Sequence, residues 1–171
     1  LPTIRVVAPS LIGPCTNYNL DLTGSSGSGG RFWSQLQLTA TGNSPNITIL
    51  NQFMSHLSAR NISQVIVIPS SILSRDSSYT ISITICNFLH SCSSSFQSFT
   101  VSDSDSIPIV SIHSDSFRTV YTKNSFYLSS NADIVQCKGS TTQQSASSSL
   151  QFSWTIQQNN VLLSNIVSSS L

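Results

Sequence analysis

The sequence predicts an all-β chain of two β-sandwiches in tandem, the first carrying one short helix and the second incomplete. Three observations predict it. Tyr79-Thr-Ile-Ser-Ile-Thr-Ile-Cys-Asn87 alternates apolar and polar residues without a break, the period of a strand with one buried face. Its apolar side, Tyr79, Ile81, Ile83 and Ile85, is aromatic or β-branched throughout and suits a pleated surface. An internal repeat supplies the tandem. Leu20-Asp-Leu-Thr-Gly-Ser25, a Ser-rich loop and Phe32-x-Ser34-x-Leu36-x-Leu38 match Val135-Gln-Cys-Lys-Gly-Ser140, a Ser-rich loop and Leu150-x-Phe152-x-Trp154-x-Ile156. Thr3-Ile-Arg-Val likewise matches Pro108-Ile-Val-Ser. The first domain is therefore expected over residues 1–106, and 107–171 is the N-terminal part of a second sandwich. Half a sandwich cannot bury its sheet face alone, so its remaining strands are expected from further sequence or another chain.

Taken in order, Thr3–Ala8 reads as a first strand, closed by Pro9. Tyr18–Thr23 is a second, after Pro14 and Cys15. Gly24–Gly30 is a turn-rich loop ending at Arg31. Phe32–Ala40 follows as a strand with Phe32, Leu36, Leu38 and Ala40 on one face. The period then changes: Ile49, Leu50, Phe53, Met54 and Leu57 recur at spacings of three and four, predicting a helix over Thr48–Ala59 with His56 on its polar side. Val65–Ile68 is a strand ended by Pro69, and Ser70–Ser78 is a turn. The Tyr79 strand then returns through Leu89 and His90 into Ser95–Val101. Past a polar linker, Ser102–Ser106, strands are expected over Pro108–Ile112, Phe126–Leu128, Ile134–Lys138 and Leu150–Gln157.

Composition narrows the function. Only 8% of the 171 residues are charged, Glu is absent and the net charge is +1, so a nucleic-acid partner is disfavoured. About a fifth of the chain is Ser, well above ordinary usage, and a hydroxyl- and amide-rich surface, with glycans, replaces the missing charge. No apolar run reaches the roughly 18 residues that span a bilayer. A start within an apparent strand, with no leader, suggests a segment of a longer protein. Asn46-Ile-Thr48 and Asn61-Ile-Ser63 are N-glycosylation sequons.

The four cysteines lack zinc spacing, so secretion and disulfides are the economical reading. Cys86 and Cys92 flank a hairpin loop and are expected to pair. A Cys15–Cys137 bridge between the domains is one alternative; the other leaves Cys137 a buried thiol or paired beyond Leu171. His56, His90 and His113 are scattered, and no Gly-x-Ser-x-Gly elbow occurs, so neither a metal centre nor a hydrolase is expected. Asp103, Asp105 and Asp115 are calcium candidates at the domain junction, against the plainer reading of a solvated hinge. Gly24–Gly30 lacks the Lys and helix of a phosphate loop. Arg31 is expected on nearby carbonyls or Asp21, with a glycan-binding role as the outside reading.

Cys15, Leu20-Asp21, Gly27-Ser-Gly-Gly-Arg31, Ile66-x-Ile68-Pro69-x-x-x-Leu73, Tyr79-Thr-Ile-x-Ile-Thr84, Asn87-Phe88 and Pro108-x-Val110 together resemble the receptor for egg jelly (REJ) module. That module occurs in sperm receptors, polycystin-1-type proteins and large surface proteins of ciliated and flagellated protists. The resemblance covers about residues 1–160 and departs at Leu36, where the family often has Trp, and at His90, where it has Gly. It implies tandem fibronectin-III-like sandwiches in an extracellular region of a cell, ciliary or flagellar surface, and no catalysis. The expected function is a structural or adhesive module without cofactor. Its partners would be further domains of the same polypeptide, other surface or filament proteins, and glycans. The alternative is a ligand- or carbohydrate-binding receptor ectodomain, which exposed rings at Phe32 and Trp33 would favour.

Overall fold

A computed structural model describes residues 1–104, 107–112, 129–134, 137, 157–158 and 161–162. The chain divides into two compact units, Leu1–Ser140 and Thr141–Leu171. In the second unit β9 (Gln157–Gln158) pairs antiparallel with β10 (Val161–Leu162). The first unit holds β1 (Leu11–Ile12), β2 (Tyr18–Leu20), β3 (Gln35–Gly42), α1 (Ile47–Ser55), a 3-10 helix over Ala59–Ser63, β4 (Ile66–Ile68), β5 (Ser77–Cys86), β6 (Cys92–Val101), β7 (Pro108–Ile112) and β8 (Ser130–Ile134). Among the described residues the protein is mostly β-sheet with one short α-helix, an all-β fold.

The strand read most directly from the sequence is central. β5 lies between β3 and β6 in a four-stranded sheet of order β1-β6-β5-β3. Tyr79, Ile81, Ile83 and Ile85 are all buried, with Leu36, Leu38 and Ala40 beside them on β3. β2 pairs with β4, and their Tyr18, Leu20, Ile66 and Ile68 join the same hydrophobic cluster. A column of rings links the two sheets: Tyr18 stacks on Phe99 at 3.7 Å and Phe99 on Tyr79 at 5.0 Å. Burial also pushes the Tyr18 phenol well above its ordinary pKa. The outward face of β5 and β6 carries hydroxyl pairs instead of charge. Ser78 meets Thr100 at 3.2 Å, Thr80 meets Ser98 at 2.9 Å and Thr84 meets Ser94 at 2.8 Å, with Phe96 exposed among them.

Several elements differ from their expected form. Thr3–Ala8 is not one continuous strand. Thr3 and Val7 make isolated bridges to Ser26 and Asp21, but between them Arg5 bonds the Ser25 side chain instead of backbone; past Pro9, Ser10 and Ile12 accept from Thr100 and Ser102 at the end of β6. Pro9, at the crossover, has no N–H to continue a ladder. β1 consequently runs parallel to β6. β3 begins at Gln35, not Phe32. Ser34 bonds the end of β5 through its N–H to Cys86 O at 3.0 Å and its Oγ to Asn87 O at 2.5 Å. That clamp resets the phase, so Phe32 is 91% exposed while Trp33 packs against the core.

The helix ends at Ser55, before the expected Ala59. His56 and Leu57 donate to Phe53 and Met54, a three-residue spacing that tightens the last turn. Ser58 is extended, and Asn61 Oδ1 accepts from its N–H at 2.9 Å, starting the 3-10 helix. A strand not expected from the sequence covers Ser130–Ile134, while residues 135, 136 and 138 of the expected Ile134–Lys138 strand lie outside the described residues. It pairs with Pro108–Ile112, and both strands belong to the first compact unit. The expected strand over Phe126–Leu128 lies outside the described residues, as does the expected Leu150–Gln157 strand except for Gln157, which opens β9.

α1 also closes an open sheet edge. On β3 the Ala40 N–H donates to Asn51 Oδ1 at 2.7 Å, and Asn51 Nδ2 donates to Ala40 O at 2.8 Å. The side-chain amide thus stands in for a neighbouring strand. Asn51→Asp removes the donor and sets a carboxylate against Ala40 O. We expect a loss of about 1–3 kcal/mol in urea denaturation, together with increased self-association on gel filtration.

Candidate functional site

The glycine-rich loop before β3 is held by contacts at both ends. Asp21 Oδ1 accepts from the Thr23 N–H at 2.8 Å and from Thr23 Oγ1 at 2.6 Å, fixing its entry. Asn87 lies beyond β5 and fixes its middle. Its Nδ2 donates to Gly27 O at 3.1 Å, while its Oδ1 accepts from the N–H groups of Leu89 and Ser91. Gly27 has φ 98°, and a Cβ there would lie 2.8 Å from Pro2 Cα, so the position requires glycine. Phe88 packs under the exit, with the Arg31 guanidinium 4.5 Å from its ring centroid. Arg31 therefore takes an aromatic platform rather than the expected carbonyls or Asp21. His90, in the same hairpin turn, has φ 57°, the left-handed region that glycine adopts freely and a side chain disfavours.

These anchors set the Arg31–Ser34 wall of an open cleft of about 870 Å3, whose facing wall is the 3-10 helix with Ser58, Arg60 and Ser63. Ile62, 2% exposed, joins the core behind that wall. Ser63 Oγ donates to Arg60 O at 2.8 Å. An exposed phenyl, a half-buried indole, two guanidinium groups and several hydroxyls thus line one opening. Such a set can stack on a flat apolar face and donate hydrogen bonds to hydroxyl or anionic oxygens. Phe32 and Trp33 were legible as ring candidates. Arg60 and the wall that carries it were not, because the expected helix ran through Ala59. The Ser58-x-x-Asn61 spacing, which marks a capped turn, was the available signal.

The remaining candidates are dispersed. Asn46 is the half-buried N-cap residue of α1, and Asn61 is half-buried in the 3-10 helix. His56 is exposed at the end of α1, and His113 lies outside the described residues. The exposed Asp103 carboxylate lies 3.9 Å from Arg75 Nη1; Asp105 and Asp115 lie outside the described residues. Among the described residues no group of three or more His, Cys, Asp or Glu side chains could hold a metal ion.

Both disulfides are formed. Cys86 and Cys92 face each other across β5 and β6 with Cα atoms 4.0 Å apart. Cys15 and Cys137 are joined across 122 positions with Cα atoms 5.4 Å apart, so Cys137 is not a buried thiol. Two disulfides fit an oxidising, extracellular environment. No helix among the described residues is long and apolar enough to cross a membrane. No protein-family model matches the chain, and neither a curated protein nor a solved structure matches it.

Proposed function

We propose that this chain is a non-catalytic extracellular module of a larger surface protein, structural and adhesive in role, built from fibronectin-III-like sandwiches. The observation that carries the reading is the Cys15–Cys137 bond. Tension entering at Leu1 and leaving at Leu171 crosses from Cys15 to Cys137 through sulfur and bypasses residues 16–136. Before that covalent crossing, the parallel pairing of β1 with β6 sets hydrogen bonds along the same path. A module so wired keeps its core folded while it transmits force. Its uncharged hydroxyl face and the exposed Phe96 supply contacts for neighbouring domains or filament proteins. The REJ resemblance extends this reading to a cell, ciliary or flagellar surface. Single-molecule stretching tests it: oxidised chains that release residues 16–136 at ordinary unfolding forces would overturn it.

A second reading, carbohydrate binding, is favoured by the exposure of Phe32 beside Trp33 in the cleft. The secreted chain is to be screened against immobilised glycans, and any that bind are then titrated. Phe32→Ala should weaken a genuine ligand by at least about tenfold, as for removal of an anchoring ring. Binding unaffected by that change, or none across the set, removes this reading and leaves the first.

A further inference from the structure

The two disulfides sit in opposite chemical surroundings. Arg75 Nη2 donates to Cys137 Sγ at 3.3 Å, so a permanent cation faces that sulfur. The same guanidinium presents Nη1 to Asp103 at 3.9 Å; that carboxylate, with its side chain 80% exposed, is well screened. The sulfurs of the other bond face oxygen instead. Cys86 Sγ lies 3.8 Å from Gln35 Oε1, and Cys92 Sγ lies 3.5 Å from His90 O. A guanidinium stabilises a thiolate formed beside it, whereas a carbonyl oxygen opposes one. Cys86 is moreover buried at 3% exposure, which disfavours its charged form further. Cys15 and Cys137 are both half-buried and Cys92 is exposed, so a small reagent reaches either bond and the leaving sulfur distinguishes them.

We propose that Cys15–Cys137 is a thiol-exchange site, opened by an external low-molecular-weight thiol or a dithiol oxidoreductase, with Cys137 as the leaving group and Arg75 as its positioning residue. The attacking thiol loses its proton to solvent, and its thiolate bonds Cys15 Sγ. The Cys15–Cys137 bond breaks, and its electron pair departs on Cys137 Sγ, held by Arg75. A second thiolate attacks the reagent sulfur of the mixed disulfide and releases Cys15. The two electrons come from the pair of reagent thiols, which end as a disulfide, while the two cysteines end reduced. Leaving-group acidity governs the rate of this step, so the bond beside the cation opens first. The inference deepens the mechanical role proposed above, on which its consequence rests: opening this bond returns residues 16–136 to the path of tension.

The test uses the full oxidised chain, without applied force, exposed to reduced glutathione, quenched with an alkylating reagent and mapped by peptide mass. We expect Cys15–Cys137 to open before Cys86–Cys92 and the first glutathione adduct to lie on Cys15. Arg75→Gln should slow opening of this bond by roughly threefold or more, with Cys86–Cys92 unchanged as the internal reference, and Arg75→Lys should restore most of the rate. Opening of both bonds at one common rate, glutathione trapped on Cys137, or an Arg75→Gln rate equal to the unaltered chain would overturn the proposal. The position of the adduct is read on the unaltered protein, so the test stands even if an Arg75 variant folds poorly. Failure here leaves the stretching result of the oxidised chain untouched.

Discussion

Pulled from Leu1 and Leu171 in oxidising buffer, the chain should extend without ever releasing residues 16–136. The sulfur bridge joins positions 122 apart, and an extended chain gains about 3.3–3.6 Å per residue, so roughly 400–440 Å of contour is withheld. Force spectroscopy should recover that length after reduction, or in a Cys15→Ser, Cys137→Ser double variant without reductant. The hydrogen bonds from Thr100 to Ser10 and from Ser102 to Ile12 should break early in both forms, because they lie ahead of Cys15 on the path. Equal contour lengths before and after reduction would sink the bypass. The same bond should also stabilise the fold at rest. Closing a loop of this length is worth about 4–5 kcal/mol in the chain-entropy account, against roughly 2 kcal/mol for the short Cys86–Cys92 loop. A denaturation midpoint indifferent to the double substitution would show that the loop is already constrained in the unfolded ensemble.

The half of the fold that rests on period alone was legible. Burial of alternate residues in β5 is a one-dimensional signal, and it named Tyr79, Ile81, Ile83 and Ile85 without reference to any partner. Leu36 and Leu38 followed for the same reason. Phe32 failed because its phase is set by Ser34, whose hydrogen bonds reach residues 52 and 53 positions away. No local pattern encodes such a partner. Thr3–Ala8 failed similarly: its alternation is real, and Ile4, Val6 and Ala8 do pack on the core, but between its bridges to Ser26 and Asp21 the Ser25 side chain takes the bonds of Arg5 that a partner strand would make. The cleft was half legible. Its rings stood out as apolar residues beside a glycine-rich loop, but Arg60 enters only through a helix end that side-chain capping decides. Cys15 and Cys137 showed that a bridge was conceivable, while the neighbour that distinguishes it, Arg75, is 62 positions from Cys137.

Removing one oxygen from Tyr79 should cost the fold more than its size suggests. The ring would stay on Phe99, so Tyr79→Phe leaves the aromatic column intact. What it deletes is the middle of a partly buried circuit. The Ser74 N–H donates to the Tyr79 hydroxyl at 2.8 Å, and that hydroxyl donates to Ser44 Oγ at 2.7 Å. Ser44 Oγ donates in turn to Ser74 Oγ at 3.0 Å and accepts from the Asn46 N–H at 3.1 Å. One phenol therefore ties the central strand to the turn before it and to the entry of α1. Its loss strands a donor at Ser74 and deprives Ser44, which is 5% exposed, of one partner. The expected cost is about 2–3 kcal/mol, the penalty for buried polar groups left unpaired, and Tyr79→Ala adds a cavity and should cost about 3–5 kcal/mol or more. Because the groups act as a circuit, Ser44→Ala combined with Tyr79→Phe should cost less than the two single changes together, by about 0.5–3 kcal/mol. Urea denaturation of the two single variants and the double variant measures that difference directly. Strict additivity would mean that the hydroxyls hold their places independently, and the β5 strand would then owe its position to apolar packing alone.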